Sequence, residues 1–299
     1  MSFKTILFVT DFSKNSLKAL GPAIALAEAY GGTIRICHVD EEEALYAFHG
    51  SQDLVAFMDR VERVRVQRLD DLVDEVSQAG VEAEIVRLKG YASQQILRYT
   101  EEDPVDLVAT ATLGGEGLRS LLMGTTASNV IRHCVRPVLT VGARCVPPSP
   151  FKVERIIAPV DFSPMARAGV EVAAELAERF SAILCLVHVI KTPSFIPAFG
   201  DEEALTGALR RTDHRVRLME EEVRRYSERF GEDRVQHEVS VAVDEAEEIS
   251  AMAVRQKGDL IVMTRRGAGI LEGVLFGRIV EEVVKIAPIP VLLLPVNDA

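Results

Sequence analysis

The chain repeats itself. Ile6-Leu7-Phe8-Val9-Thr10-Asp11-Phe12-Ser13 returns as Ile156-Ile157-Ala158-Pro159-Val160-Asp161-Phe162-Ser163, and Cys37-His38-Val39 returns as Val187-His188-Val189. Gly114 and Gly124, nine residues between them, return as Gly267 and Gly277, and Arg136-Pro137-Val138-Leu139 returns as Ile289-Pro290-Val291-Leu292. The offset is 150 for the first two matches and 153 for the last two. A period this long is not that of a solenoid or propeller. It is the length of one ordinary domain. The chain therefore reads as two homologous domains in tandem, 1–145 and 151–299, and any site is to be sought twice and compared.

Each half alternates strand and helix patterns. Short β-branched apolar runs fall at Thr5–Val9, Thr33–Val39, Val105–Thr110 and Val138–Val141. Between them lie helix-spaced segments such as Ser16–Tyr30, with Leu17, Leu20, Ile24 and Ala27 on one face, and the charged stretch Leu54–Gln78. The second half follows the same order. Such alternation predicts a doubly wound α/β domain, with five parallel strands and helices on both faces, in each half. Arg144–Phe151, with Pro147, Pro148 and Pro150, reads as a short stiff linker. The loops after the second strands, 40–53 and 190–208, are expected to be the most mobile segments.

Composition narrows the function classes. A net charge of −11 argues against a broad nucleic-acid surface. No uncharged stretch approaches the roughly 20 residues that span a bilayer, and Met1-Ser2-Phe3-Lys4 runs straight into a strand pattern without a secretory leader. A cytoplasmic location is expected. The four cysteines are scattered, with no C-x-x-C pair, so neither a zinc site nor a dithiol motif is expected. Cys37 and Cys185 fit buried strand positions, whereas Cys145 in the linker is expected to be exposed.

In doubly wound sheets, ligands bind beyond the carboxyl ends of the strands, where the strand order reverses. Asp11 and Val39 end the first two strands. The fourth ends at Ala111, followed by Gly114 and then by Gly124-Thr125-Thr126, which opens a helix. Glycines let backbone approach a phosphate, and free N–H groups at a helix start point at the anion. No G-x-x-x-x-G-K-[ST] occurs, and Gly267–Gly273 is one residue too long and follows the wrong strand for a dinucleotide fingerprint. Asp11 and Asp161 also fit simple turns with Ser13 and Ser163. His38 and His188 fit hydrogen-bonded core residues.

Taken together these residues resemble the universal stress protein family, over both halves and nearly the whole chain. The family motif is G-x-x-G, nine residues, then G-[ST], joined by an aspartate ending strand one and a valine ending strand two. In nucleotide-binding members the aspartate and valine flank adenine, and the glycine loop and hydroxyl hold ribose and phosphates. Carried over, the resemblance implies a site of Asp11, Val39, Ala111, Gly114, Gly124, Thr125 and Thr126 in the first half, with Ala111 standing for the first glycine. It implies a degenerate site of Pro159, Asp161, Val189, Thr264, Gly267, Gly277 and Arg278 in the second. There Thr264 replaces the first glycine and Arg278 the hydroxyl residue, and Arg278 is expected to lie across the phosphate pocket. The implied ligand is ATP or a related adenine nucleotide, with magnesium as its companion ion, acting as a stress-response signal toward an unknown protein partner. The alternatives are a nucleotide-free interaction scaffold and a slow ATP-hydrolysing enzyme. The resemblance further implies an intramolecular pseudo-dimer formed through the last strands, Val138–Val141 and Val291–Leu294, and open to further homodimerisation.

Overall fold

A computed structural model of the chain describes residues 1–41, 52–113, 123–192, 202–265 and 277–295. It divides into two compact units, one of residues 2–143 with 147–151 and the other of residues 144–146 with 152–299, to which Met1 is joined. The proline-rich stretch is thus shared between the units. Cys145 within it is fully buried, not exposed as expected.

The first unit runs β1 (Thr5–Val9), α1 (Lys14–Leu17), α2 (Leu20–Tyr30), β2 (Thr33–Asp40), α3 (Gln52–Gln78), β3 (Glu82–Lys89), α4 (Ala92–Glu102), β4 (Leu107–Ala111), α5 (Thr125–His133) and β5 (Val138–Val141). The second runs β6 (Arg155–Pro159), α6 (Pro164–Phe180), β7 (Ile183–Lys191), α7 (Glu202–Phe230), a 3-10 turn at Glu232–Arg234, β8 (Val235–Ala242), α8 (Glu245–Arg255), β9 (Leu260–Thr264), α9 (Arg278–Ile286) and β10 (Val291–Leu294).

All pairings within the units are parallel. The order is β3-β2-β1-β4-β5 in the first unit and β8-β7-β6-β9-β10 in the second. The chain steps outward from β1 to β3, then returns past β1 to β4. With right-handed crossovers, this reversal puts α2 and α3 on one face and α4 and α5 on the other. The switch point is the crevice at the carboxyl ends of β1 and β4. Central strands covered on both faces must be apolar throughout, and Ile6, Leu7, Phe8 and all five residues of β4 are buried. The outer strand β3 carries Glu82, Glu84, Arg87 and Lys89, charges that blunt an exposed edge.

One local feature that periodicity alone did not reveal repeats in both halves. An aspartate just before the fourth strand clamps the start of the first. Asp106 Oδ2 accepts from the N–H groups of Lys4 and Thr5 (2.8 and 3.0 Å), and Asp259 Oδ2 accepts from those of Glu154 and Arg155 (both 2.8 Å). In contrast, the first helix differs between the halves. A single helix was expected over 16–30, but α1 stops at Leu17 and α2 begins at Leu20. Pro22 is the reason. Its ring would clash with the carbonyl of Lys18, and it has no N–H to give that carbonyl. The second half puts its proline, Pro164, at the first helical position, where no N–H is needed, and α6 runs unbroken for 17 residues.

Candidate functional site

The site begins with a strained turn. Phe12 has φ 63° and Phe162 φ 64°, in the left-handed region that a bulky residue seldom occupies. The surroundings hold it there. Asp11 Oδ1 accepts from the Ser13 N–H (2.9 Å), and Asp161 Oδ1 from the Ser163 N–H (2.8 Å). Ser13 and Ser163 then cap α1 and α6 by accepting from the N–H of Ser16 and Ala166. Thr10 Oγ1 accepts from the Phe12 N–H (2.9 Å). The turn aims the chain sharply from strand into helix and leaves Asp11 exposed at the crevice.

A histidine supports each turn from the second strand. His38 Nδ1 lies 2.9 Å from the Thr10 carbonyl oxygen, and His188 Nδ1 lies 2.6 Å from that of Val160. The N–H donates in each case, which fixes the tautomer. The rings contact Phe12 and Phe162 at centroid distances of 4.3 and 4.7 Å. A guanidinium also lies over each phenylalanine ring, Arg68 at 5.8 Å and Arg215 at 5.5 Å. Burial lowers the pKa of both histidines below the ordinary imidazole value. They are neutral, hydrogen-bonded supports of the turn.

In the first unit, the carboxyl ends of β1, β2 and β4 and the start of α5 enclose a cavity of about 490 Å³. Asp11, Val39, Ala111, Gly124, Thr125 and Thr126 all line it, so the structure brings together six of the seven residues singled out in this half. Gly114 lies outside the described residues. Gly124 is the N-cap of α5, its N–H bonded to the Thr112 carbonyl (2.9 Å) and its own carbonyl accepting from Ser128 (2.8 Å). Gly124 has no side chain to cap α5, and no side chain among the described residues is seen to do so. The N–H groups of its first turn therefore face the cavity mouth as donors.

The wall opposite α5 is charged, and this was not read from the sequence. Asp40 was assigned to a mobile loop, most of which lies outside the described residues. Asp40 itself is the buried last residue of β2, at 9% exposure. Its Oδ2 accepts from Arg87 Nη2 (2.8 Å), and Arg65 Nε stands 3.0 Å from its Oδ1. The Arg65 N–H is not aligned with that oxygen, so the second contact is coulombic. Glu62 closes the network, accepting from Arg65 Nη1 (2.8 Å) and from Arg87. These hydrogen bonds, with Arg87 foremost, lower the Glu62 pKa and raise that of Arg87. The neighbouring Glu41 accepts from the Ala92 N–H (3.0 Å) and so caps α4, whose own N-cap Tyr91 offers no acceptor. The sequence signal was a carboxylate ending an apolar strand directly after Val39.

The second unit keeps the turn, but its described residues show no counterpart of the charged wall. Ile190 stands at the place of Asp40 in the repeat, and Asp244 caps α8 from within its own turn (3.0 Å to both Ala246 and Glu247 N–H). Pro159 ends β6, and Val189 lies near the end of β7 as Val39 does in β2. Thr264 is buried, its methyl set against Gly169 of α6, where a Cβ would come within 3.2 Å. Gly277 caps α9 and donates to the Arg265 carbonyl (2.9 Å), just as Gly124 does to Thr112. Gly267 lies outside the described residues. Arg278, expected to lie across the phosphate pocket, follows the loop 266–276, which lies outside the described residues. It is the first residue of α9 and its side chain is exposed. The buried cation is Arg265, at 5% exposure in the place of Thr112.

Two tandem doubly wound domains with a strand-end crevice, a strained Asp-Phe-Ser turn and a glycine-capped helix define a class of small α/β proteins. The chain belongs to the universal stress protein family, whose profile matches residues 2–142 and 152–295. It is 25% identical over 146 residues to universal stress protein YxiE of Bacillus subtilis, a match covering 46% of this chain and 99% of that protein. It is 32% identical over 142 residues to a universal stress protein of Thermus aquaticus, covering 46% of this chain and 98% of that one. Among solved structures, a universal stress protein from Archaeoglobus fulgidus shares the fold over 99% of both chains, with a TM-score of 0.66 at 20% identity.

Proposed function

We propose that the first half binds ATP or a related adenine nucleotide as a regulatory ligand, and that the second half binds it weakly or not at all. The carrying observation is that Asp11, Val39, Ala111, Gly124, Thr125 and Thr126 line one cavity. The cavity is polarised. Uncapped N–H groups at the start of α5 suit phosphate. Asp11 and Glu41, away from α5, disfavour phosphate there and leave that end to the base and ribose. Bound nucleotide would stabilise one arrangement of the segments around the cavity and so alter a surface read by a partner protein.

Binding is favoured over hydrolysis by the state of the carboxylates. Asp11 is engaged by the Ser13 N–H and Asp40 by two guanidinium groups, so neither is poised to take a proton from water. Denaturing the purified protein and identifying released nucleotide is the direct test. ATP is the expected finding. ADP that accumulates with turnover would favour the hydrolase, and no nucleotide the scaffold. In calorimetry, Gly124→Arg is expected to abolish ATP binding by filling the phosphate end. Thr125→Ala should weaken it by about 1 kcal/mol, the scale of one hydrogen bond. ATP binding by both variants as by the parent would place the site elsewhere.

A further inference from the structure

We infer that Arg65 contacts the base of the bound nucleotide and that Asp40 is a positioning residue acting through it. The inference rests on the nucleotide reading above, and names a subsite within it that lies outside the glycine motif. Arg65 lines the cavity with its side chain 24% exposed. Its helix, α3, packs against β2 and β3, so it faces the cavity from the end away from α5. β2 and β4 flank β1, and at the usual strand spacing their ends stand roughly 10 Å apart. Phosphate held at the start of α5 therefore puts the base, not the phosphates, beside Arg65. The guanidinium is already fixed there. Nη1 is spent on Glu62 and Nε stands against Asp40, with the side chain part-exposed at the cavity wall. A planar, pre-oriented fork of this kind donates to a ring nitrogen or stacks on a base face with little further loss of entropy.

Asp40 is suited to hold Arg65 and not to touch the ligand. Its Oδ1 is sealed from solvent, and Oδ2 is taken by Arg87. The four charges of Asp40, Glu62, Arg65 and Arg87 sum to zero, so the wall does not attract phosphate as a free cationic patch would. The second half is the internal comparison. With Ile190 in the place of Asp40, its arginine Arg215 lies over Phe162 and 3.4 Å from the Asp161 carbonyl oxygen.

The test uses the full chain in calorimetry with two probes, ATP and inorganic triphosphate, on the parent, Arg65→Met, Asp40→Asn and the double variant. Arg65→Met is expected to weaken ATP about tenfold, the worth of one good charged hydrogen bond, and to leave triphosphate unchanged. Asp40→Asn should weaken ATP in the parent but have little further effect once Arg65 is gone, the non-additivity of residues acting as a unit. Equal loss of both probes in Arg65→Met would make Arg65 a phosphate ligand and overturn the inference. So would unchanged ATP affinity, or full additivity in the double variant. In all three of those outcomes the parent still binds ATP and the nucleotide reading stands. A parent that binds no ATP removes that reading and this inference together. Arg65→Met leaves the Asp40–Arg87 bond intact, so the conclusion survives if Asp40→Asn fails to fold.

Discussion

His38 and His188 tie stability to pH. Burial holds both pKa values below 6.5, so the unfolded chain binds more protons than the folded one below that pH. For His38, Asp40 opposes the shift and Arg65 and Arg87 reinforce it. The stability these groups contribute is complete above about pH 6.5 and is lost as pH falls through the lowered folded values. The urea midpoint should therefore decline as the pH falls below about 6.5. In a His38→Gln/His188→Gln variant, which keeps a donor for each carbonyl but cannot titrate, that decline should be shallower. Equal slopes in parent and variant would show that the imidazoles are not the cause. Phe12 and Phe162 show the same economy at the backbone. Each sits in a conformation costing about 1–2 kcal/mol, and each contacts an imidazole and a guanidinium, so the cost is met by contacts that also shape the crevice.

Among the elements, the entry of the first strand of each unit depends on one carboxylate. Asp106 and Asp259 each accept two backbone N–H groups that would otherwise have no strand partner. Asp106→Ala and Asp259→Ala should each lower stability by about 2 kcal/mol, the scale of hydrogen bonds to a charged group, measured as a shift in denaturant midpoint. A loss of only a few tenths would mean that water replaces the carboxylate at no cost. Helix starts show how the two halves diverged. α4 borrows Glu41 from the end of the neighbouring strand, whereas α8 carries its own cap, Asp244. The first arrangement couples the cavity wall to the helix behind it, and the second does not.

For the whole molecule, the repeat makes the chain its own control. Both units keep the turn, the histidine and the glycine N-cap, but only the first is shown with a charged wall opposite an uncapped helix start. One ATP per chain is therefore the expected stoichiometry in calorimetry. Gly277→Arg should leave that value unchanged, while Gly124→Arg removes it. A stoichiometry of two, halved by Gly277→Arg, would show that the second half also binds. No described helix is long and apolar enough to cross a membrane.

Read alone, the sequence settles whatever depends on local pattern. Alternating apolar runs placed the strands within a few residues, since burial on both faces of a parallel sheet demands continuous apolar strands, and helical spacing placed the helices more coarsely. The internal repeat fixed the tandem, and Asp11, Val39, Ala111, Gly124, Thr125 and Thr126 were legible because strand ends and helix starts are local features. What the sequence left open depended on partners distant along the chain. Asp40 reads as loop until Arg65 and Arg87 arrive from α3 and β3 to neutralise it. Arg265, one residue past a strand, reads as a loop cation but is buried, while Arg278 at the start of α9 is exposed. The break at Lys18–Ala19 was legible in Pro22 but outweighed by the apolar spacing around it. Pattern decides which face of an element is buried. Which charges meet across that face is decided by the tertiary fold, because an ion pair is an agreement between elements and neither sequence segment carries it alone.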